Sequence, residues 1–146
     1  MAEVETARAE HVTSWLSLAE EVTPLFGPMP DFEQHVRRGI ARGTAFVVTH
    51  GSVVTGGMLL SRDDKAHHIN WLAVRHSARR QGIGAALVRT ALERWPEGDV
   101  GVVTFSREVD GGDPARSLYR GLGFVDHGAT GLAPDGSPRD LFTLER

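Results

Sequence analysis

Cysteine is absent from the 146 residues of this chain. Its absence excludes disulfide bonds, cysteine-ligated zinc, iron–sulfur clusters and a thiol nucleophile. Long apolar runs are also absent, since runs such as residues 45–48 are far too short to cross a membrane. We therefore expect no membrane partner. The first ten residues contain no apolar segment typical of a secretory signal, so we expect a cytoplasmic protein.

A strong excess of positive charge is missing as well. The net charge is −3, which argues against a protein that grips duplex DNA, and we expect no nucleic-acid partner. The charge is unevenly spread: residues 1–33 hold seven acids and one base, a net of −6, and residues 34–146 have a net of +3. The acidic segment either forms solvated helix faces or helps to attract a cationic amine.

The spacing of apolar residues and turn residues predicts one domain, residues 1–146, in the order β-α-α-β-β-β-α-β-α-β-β. This order predicts an α/β (α+β) fold with a single mixed, mostly antiparallel central sheet and helices on both faces. Pro24 and the glycine and prolines after it are expected to break the first helix. The predicted strands are residues 3–9, 44–49, 52–61, 66–74, 100–105, 124–127 and 140–144, with a turn at Asp135-Gly136 before the last.

The segment from Arg79 to Ala85 carries the clearest chemistry. A strand leads into two arginines, and Gly82 and Gly84 open the next helix. The first N–H groups of a helix lack internal partners, and glycines let a diphosphate approach the backbone closely. The P-loop pattern and the dinucleotide-binding fingerprint both fail here. The remaining readings are a different phosphate-binding loop or a plain helix start with surface arginines.

Two motifs decide between these readings. Residues 79–84, RRQGIG, fit R/Q-x-x-G-x-G/A, and residues 115–124, ARSLYRGLGF, fit A-x-x-L-Y-x-x-x-G-F. With both motifs and its element order, the chain resembles the GNAT-type, acetyl-CoA-dependent N-acetyltransferases over nearly its whole length. One departure is Gly112, where many members have asparagine.

The resemblance implies that acetyl-CoA is the co-substrate, that no metal takes part, and that the amine attacks the thioester directly, without an acyl-enzyme. A bulge at residues 72–74 would splay this strand from residues 100–105, and the N–H of Val74 would polarise the thioester carbonyl. Tyr119 matches the family tyrosine that protonates the leaving thiolate, although it could be a core aromatic. The implied cofactor-binding residues are Leu72, Ala73, Val74, Arg79, Arg80, Gln81, Gly82, Ile83, Gly84, Ala85 and Ala115.

The general base and the acceptor pocket are less determined. His68 falls where some histone-modifying members carry a glutamate, and alternation places it on one face with Asn70 and Leu72. Asp31, Glu33 or a water chain are the alternatives. His67 and His68 are adjacent and should point to opposite faces, which argues against a metal site. The residues expected to line the acceptor pocket, unless they belong to the core, are Phe26, Met29 and Phe32.

The leading interpretation is an N-acetyltransferase that acts on a primary amine of a small molecule or peptide. Alternatives are an enzyme that acetylates a protein N-terminus or lysine, a non-catalytic module that binds acyl-CoA, and an α/β domain with a fortuitous glycine turn. Many relatives are dimers, so a homodimer is an expectation by analogy only.

Overall fold

The computed structural model describes residues 2–133 and 136–146. One mixed sheet runs through these residues, and two pairs of helices cover its faces. The strands are β1 (Glu5–Thr6), β2 (Ala45–His50), β3 (Val53–Leu60), β4 (His68–Val74), β5 (Val100–Phe105), β6 (Val125–Leu132) and β7 (Pro138–Leu144). The helices are α1 (Val12–Phe26), α2 (Phe32–Arg42), α3 (Ile83–Arg94) and α4 (Asp113–Gly121).

The strand order in the sheet is β1-β2-β3-β4-β5-β7-β6. Neighbouring strands pair antiparallel except β4 and β5, which run parallel and pair only at His68–Gly101 and Ile69–Val102. The helix α3 forms the crossover that a parallel pair requires. The expected single mixed, mostly antiparallel sheet is confirmed.

Each face of the sheet has its own apolar core. The apolar stripe of α3 packs with Tyr119, Phe124 and Phe142 on one face. The stripes of α1 and α2 pack around Trp15 on the other. Trp15 is fully buried, and its ring packs against Gly57. A Cβ atom at position 57 would lie only 2.7 Å from this ring. The expectation of helices on both faces is confirmed.

The ends of α1 and β6 differ from the sequence prediction. Pro24 lies inside α1 and does not break it, because it falls in the last turn, where little of the helix depends on its missing N–H. The helix ends instead at Phe26, followed by Gly27. The strand β6 runs to Leu132, further than predicted, because an exposed edge strand with glycines shows no clear alternation. Asp135 of the predicted turn lies outside the described residues.

None of the helices within the described residues is long and apolar enough to span a membrane.

Candidate functional site

The parallel strands β4 and β5 diverge and leave a gap in the sheet. Their pairing ends at Ile69 and Val102. The N–H of Arg75 donates to the Thr55 carbonyl at 2.7 Å, while Val74 lies opposite Gly56. In an antiparallel pair this pattern makes Val74–Gly56 a non-hydrogen-bonded position. The N–H and C=O of Val74 therefore point away from β3 and into the gap.

A bulge in β4 separates the paired part of the strand from the gap. Leu59 lies opposite Trp71 and Leu60 lies opposite Ile69, so Asn70 is the extra residue. The expected position of the bulge, residues 72–74, is therefore wrong by a few residues, although the splay itself is present. Because the bulge interrupts the alternation, Ile69 and Leu72 both pack in the core beneath α3.

A cleft of about 960 Å³ opens at this gap. It runs from the start of α3, past the divergent strands, to the end of α1. The predicted residues that line it are Leu72, Ala73, Val74, Arg79, Arg80, Gly82, Ile83, Gly84, Ala85, Ala115, Tyr119, Phe26 and Met29. Gln81 and His68 do not line it, and Phe32 lines a neighbouring cavity instead. Residues from four separate stretches of sequence thus meet in one place.

The beginning of α3 presents free N–H groups to the cleft. Gly82 precedes the helix with a φ of +76°, a left-handed conformation that glycine adopts without strain. The first intrahelical bond runs from Ala86 to Gly82, so the N–H groups of residues 83–85 have no acceptor in the helix. Arg80 also has a positive φ, +66°, which is strained for a side chain of its size. This arrangement suits an anionic ligand.

Gly84 is needed for packing rather than for conformation. A Cβ at this position would lie 3.0 Å from the Leu118 side chain of α4. The small residue lets α3 and α4 approach each other beside the cleft.

The three clustered arginines divide into two roles. Arg75 donates to the Val54 carbonyl at 3.2 Å and lies 3.7 Å from the Glu21 carboxylate, so it ties the end of β4 to β3 and α1. The side chains of Arg79 and Arg80 have no hydrogen bond or ion pair with any residue in 2–133 or 136–146. Both line the cleft, and their charges remain available to a ligand.

Tyr119 brings a hydroxyl group to the floor of the cleft. Its ring packs against Phe124 and Phe142, and the residue is only 3% exposed. Burial raises the pKa of the phenol far above its usual value. The hydroxyl forms no hydrogen bond to the part of the chain that the structure describes. A protonated hydroxyl without a protein partner is suited to donate to a ligand.

A buried ion-pair network holds α4, the helix of Tyr119, against the sheet. The Arg116 guanidinium donates to Asp126 and Asp140, each at 2.7 Å, and to the Phe105 carbonyl at 2.9 Å. The N–H of Gly128 donates to Asp126 and, together with Arg116, lowers the pKa of that carboxyl despite its burial. Arg116 is buried and binds two carboxylates and a carbonyl, which fixes the position of α4.

His68 lies beside the cleft. Its Nδ1 atom is 3.0 Å from the Asn70 Oδ1 atom, and Asn70 does line the cleft. The two side chains share a face of β4, as expected, but the bulge places Leu72 on the other face. The role of His68 as a base stays a prediction.

A second cavity of about 590 Å³ lies between α2 and the sheet. Phe32 lines it, and Met29, Asn70 and Trp71 line both this cavity and the cleft. The Trp71 indole N–H donates to the Met29 sulfur at 3.2 Å, and its ring lies 4.8 Å from that of Phe32. The residues expected to form an acceptor pocket therefore lie along the boundary between the two cavities.

The acids of the N-terminal segment do not reach either cavity. No aspartate or glutamate of the described residues lines them. Glu5 and Glu10 pair with Arg8, Glu33 pairs with Arg37, and Glu21 accepts from the N–H of His76. The expectation that this segment attracts a cationic amine finds no support in the lining. Nor do Asp31 and Glu33, the alternative bases, line the cleft.

Among the residues that line the cleft, sequence reasoning missed Asn70, Trp71, Phe105 and Arg139. Asn70 and Trp71 lie at the bulge, and no local sequence pattern predicts a bulge at this position. Arg139 of β7 donates to the Phe26 carbonyl at 3.2 Å and lies 4.8 Å above the Phe105 ring. Phe26 and Phe105 are themselves in contact, with centroids 5.4 Å apart. This contact joins the end of α1 to β5 and β7 beside the cleft.

Metal-ligating side chains do not cluster in the structure: the described residues contain no group of three or more histidines, aspartates or glutamates that could hold an ion.

Comparison with known proteins agrees with this geometry. A family model described as the acetyltransferase (GNAT) family matches residues 9–124. No curated protein sequence matches the chain.

Solved structures are similar over nearly the whole chain. A GNAT-family acetyltransferase from Bacillus cereus has a TM-score of 0.80 and 16% identity, covering 100% of this chain and 98% of its own. Ard1 from Thermoplasma volcanium has a TM-score of 0.79 and 20% identity, covering 97% and 95%. PaiA N-acetyltransferase from Thermoplasma acidophilum, in complex with coenzyme A, has a TM-score of 0.76 and 13% identity, covering 100% and 99%. At these identities the likeness shows a shared fold.

Proposed function

Because this chain belongs to the GNAT family of acetyltransferases, we propose that it transfers an acetyl group from acetyl-CoA to a primary amine of a small molecule or peptide. The observation that carries the proposal is the gap between β4 and β5. The backbone of Val74 faces this gap, and the free N–H groups of residues 83–85 stand at its end. A solved structure of the same fold, PaiA, contains coenzyme A, which supports this choice of co-substrate.

The residues of the cleft fit the parts of such a molecule. The N–H groups at the start of α3, with Arg79 and Arg80, suit a diphosphate. The backbone groups of Val74 suit an extended amide chain that pairs with β4 as an added strand. The apolar side chains along the gap, such as Ile69, Leu118 and Val102, suit its methylene groups.

Acetyl-CoA supplies an acetyl thioester, and the protein supplies two groups around it. The N–H of Val74 donates to the thioester carbonyl oxygen and stabilises the charge that develops there. The amine nitrogen forms a bond to the carbonyl carbon, and the carbon–sulfur bond breaks. Tyr119, which burial keeps protonated at neutral pH, donates its proton to the departing sulfur and regains one from water, so that the proton lost by the amine balances the one gained by the thiol.

The amine must lose a proton before or during attack. We propose that His68, held at 3.0 Å by Asn70, accepts this proton through water, because the ring does not itself line the cleft. The chain has no cysteine, in agreement with direct attack.

Two measurements test the proposal. Acetyl-CoA at 100 times its Kd should add about 2.7 kcal/mol to the apparent stability of the protein. Release of free thiol should then depend on an added amine. A thermal shift without thiol release across a broad amine panel would instead indicate an acyl-CoA-binding module. The absence of any shift would contradict both readings.

A further inference from the structure

The second cavity, between α2 and the sheet, is lined by basic side chains. His35, Arg38 and Arg42 line it from one face of α2, at spacings of three and four residues. None of the described residues that line this cavity carries a carboxylate. An amine-binding site would ordinarily be expected to offer negative charge.

Neither arginine is neutralised by a neighbour. Arg38 reaches only the uncharged Gln34 side chain, at 3.5 Å, and Arg42 has no ion pair within residues 2–133 or 136–146. Arg37 differs, because its guanidinium binds Glu33 at 2.8 Å. Two exposed guanidinium groups without a carboxylate partner, both beside one cavity, are able to bind an oxyanion.

This cavity adjoins the cleft. Met29, Asn70 and Trp71 line both, and Asn70 is the bulged residue next to the last paired position of β4 and β5. An amine placed at the bulge would therefore lie where the cleft and the second cavity adjoin, beside Trp71. The volume of about 590 Å³ is ample for an amino acid or a short peptide.

We propose that the acceptor is an amine that also carries a carboxylate or phosphate group, and that Arg38 and Arg42 bind this oxyanion in the second cavity. The inference rests on the proposed acetyltransferase function. The acidic N-terminal segment had suggested a cationic acceptor, whereas this inference gives the acceptor an anionic group as well. The inference also argues against a protein N-terminus as the acceptor. A protein N-terminus has no carboxylate close to its amine unless the side chain of the first residues provides one.

The test compares acceptors in matched pairs. β-Alanine, γ-aminobutyrate and glycylglycine are each measured against the corresponding amide, and O-phosphoethanolamine against ethanolamine. We expect the anionic member of at least one pair to have the lower KM, by about tenfold, as for a charge-assisted hydrogen bond. The carboxylate and phosphate arms identify which oxyanion is preferred.

Variants assign the preference to the two arginines. The double substitution Arg38→Gln and Arg42→Gln should raise KM for the anionic acceptor about tenfold, while kcat and the KM of its neutral partner stay unchanged. Arg37→Gln, on the same helix but outside the cavity, should change neither. Each acceptor is compared with itself in the unsubstituted protein and in the variant. The different basicities of the two amines therefore cancel from the ratio of KM values. Raising the salt concentration should weaken the binding of the anionic acceptor and leave the binding of the neutral acceptor unchanged.

The outcomes separate the two proposals. If neutral amines are acetylated as well as anionic ones, or the double variant affects both equally, the inference is wrong and the acetyltransferase function stands. If no amine releases thiol, the proposed function fails and the inference falls with it. Unchanged affinity of the double variant for acetyl-CoA would show that it is folded.

Discussion

Arg116 donates a hydrogen bond of 2.7 Å to the Asp140 carboxylate, and thereby joins the helix of Tyr119 to the strand that pairs with β5. The same guanidinium reaches Asp126 on β6 at 2.7 Å. One buried side chain thus connects α4 with two strands beside the cleft. The site depends on this connection, because α4 carries Tyr119 and packs on the start of α3 through Leu118.

The stability of the protein should fall in acid because of Asp126. Its pKa is lowered in the folded state, so its contribution is fully present above the pKa of an unfolded aspartate, about 3.9, and is lost as the pH falls through the folded value. We expect Asp126→Asn to reduce the free energy of unfolding at pH 6 and to make it less dependent on pH below about 4.

Urea denaturation at pH 6 and pH 3 checks this prediction. Glu10→Gln is the control, since Glu10 forms an exposed ion pair with Arg8 and should matter little. Equal effects of the two substitutions would show that the buried network has no special role.

Gly82 should be required for acetyl-CoA binding beyond its effect on folding. Gly82→Ala forces an alanine into a left-handed conformation, at a cost of about 1–2 kcal/mol, and adds a methyl group in open space at a residue that lines the cleft. Gly51→Ala is a matched control, because Gly51 has a φ of +61°, open space around its Cβ position and a place in the distant β2–β3 turn.

Calorimetry with acetyl-CoA separates strain from binding. Both variants should lose similar stability, and only Gly82→Ala should lose affinity, by about tenfold. Equal affinities in the two variants would place the diphosphate elsewhere.

Tyr119→Phe should slow the reaction and leave binding intact. The substitution keeps the buried ring and removes a hydroxyl that has no partner among the described residues, so stability should change little. A thiolate is a fair leaving group, and we expect kcat to fall about tenfold with an unchanged Kd for acetyl-CoA. A loss confined to Kd, with kcat preserved, would make Tyr119 a packing residue.

His68→Ala should lower turnover more at neutral than at alkaline pH, because free amine becomes available without a base as the pH rises. A contribution of about 100-fold at neutral pH is typical of a base. His67→Ala is the neighbouring control, since His67 stacks on Trp95 at 4.7 Å and lies away from the cleft. An equal loss at every pH would indicate a structural role for His68.

Much of the fold followed from local patterns. Strong local signals mark three elements: the apolar stripe of α3 with Gly82 before it, the apolar run of β5, and Asp113-Pro114 at the start of α4. Each element lies where its signal predicts. Weaker signals failed: β6 is exposed and alternates poorly, and Pro24 can be accommodated only because α1 ends two residues later.

The candidate site was predictable only where it follows a motif. The loop that ends at Gly82 and the helix of Tyr119 lie in contiguous sequence. The bulge at Asn70 could not be predicted from a motif, because its position depends on the register of β3 against β4. The same holds for Arg38 and Arg42, whose significance comes from a cavity formed between α2 and strands that follow it in the chain.

The most direct test of the account follows the acetyl group itself. The protein is incubated with labelled acetyl-CoA and an acceptor amine, and the thiol, the acetylated amine and the protein are quantified by mass spectrometry. We predict one thiol released per acetylated amine, with no label retained by the protein when the amine is left out. Label bound to a residue of the cleft and then passed to the amine, or no acetylated amine at all, would contradict direct transfer in the gap between β4 and β5.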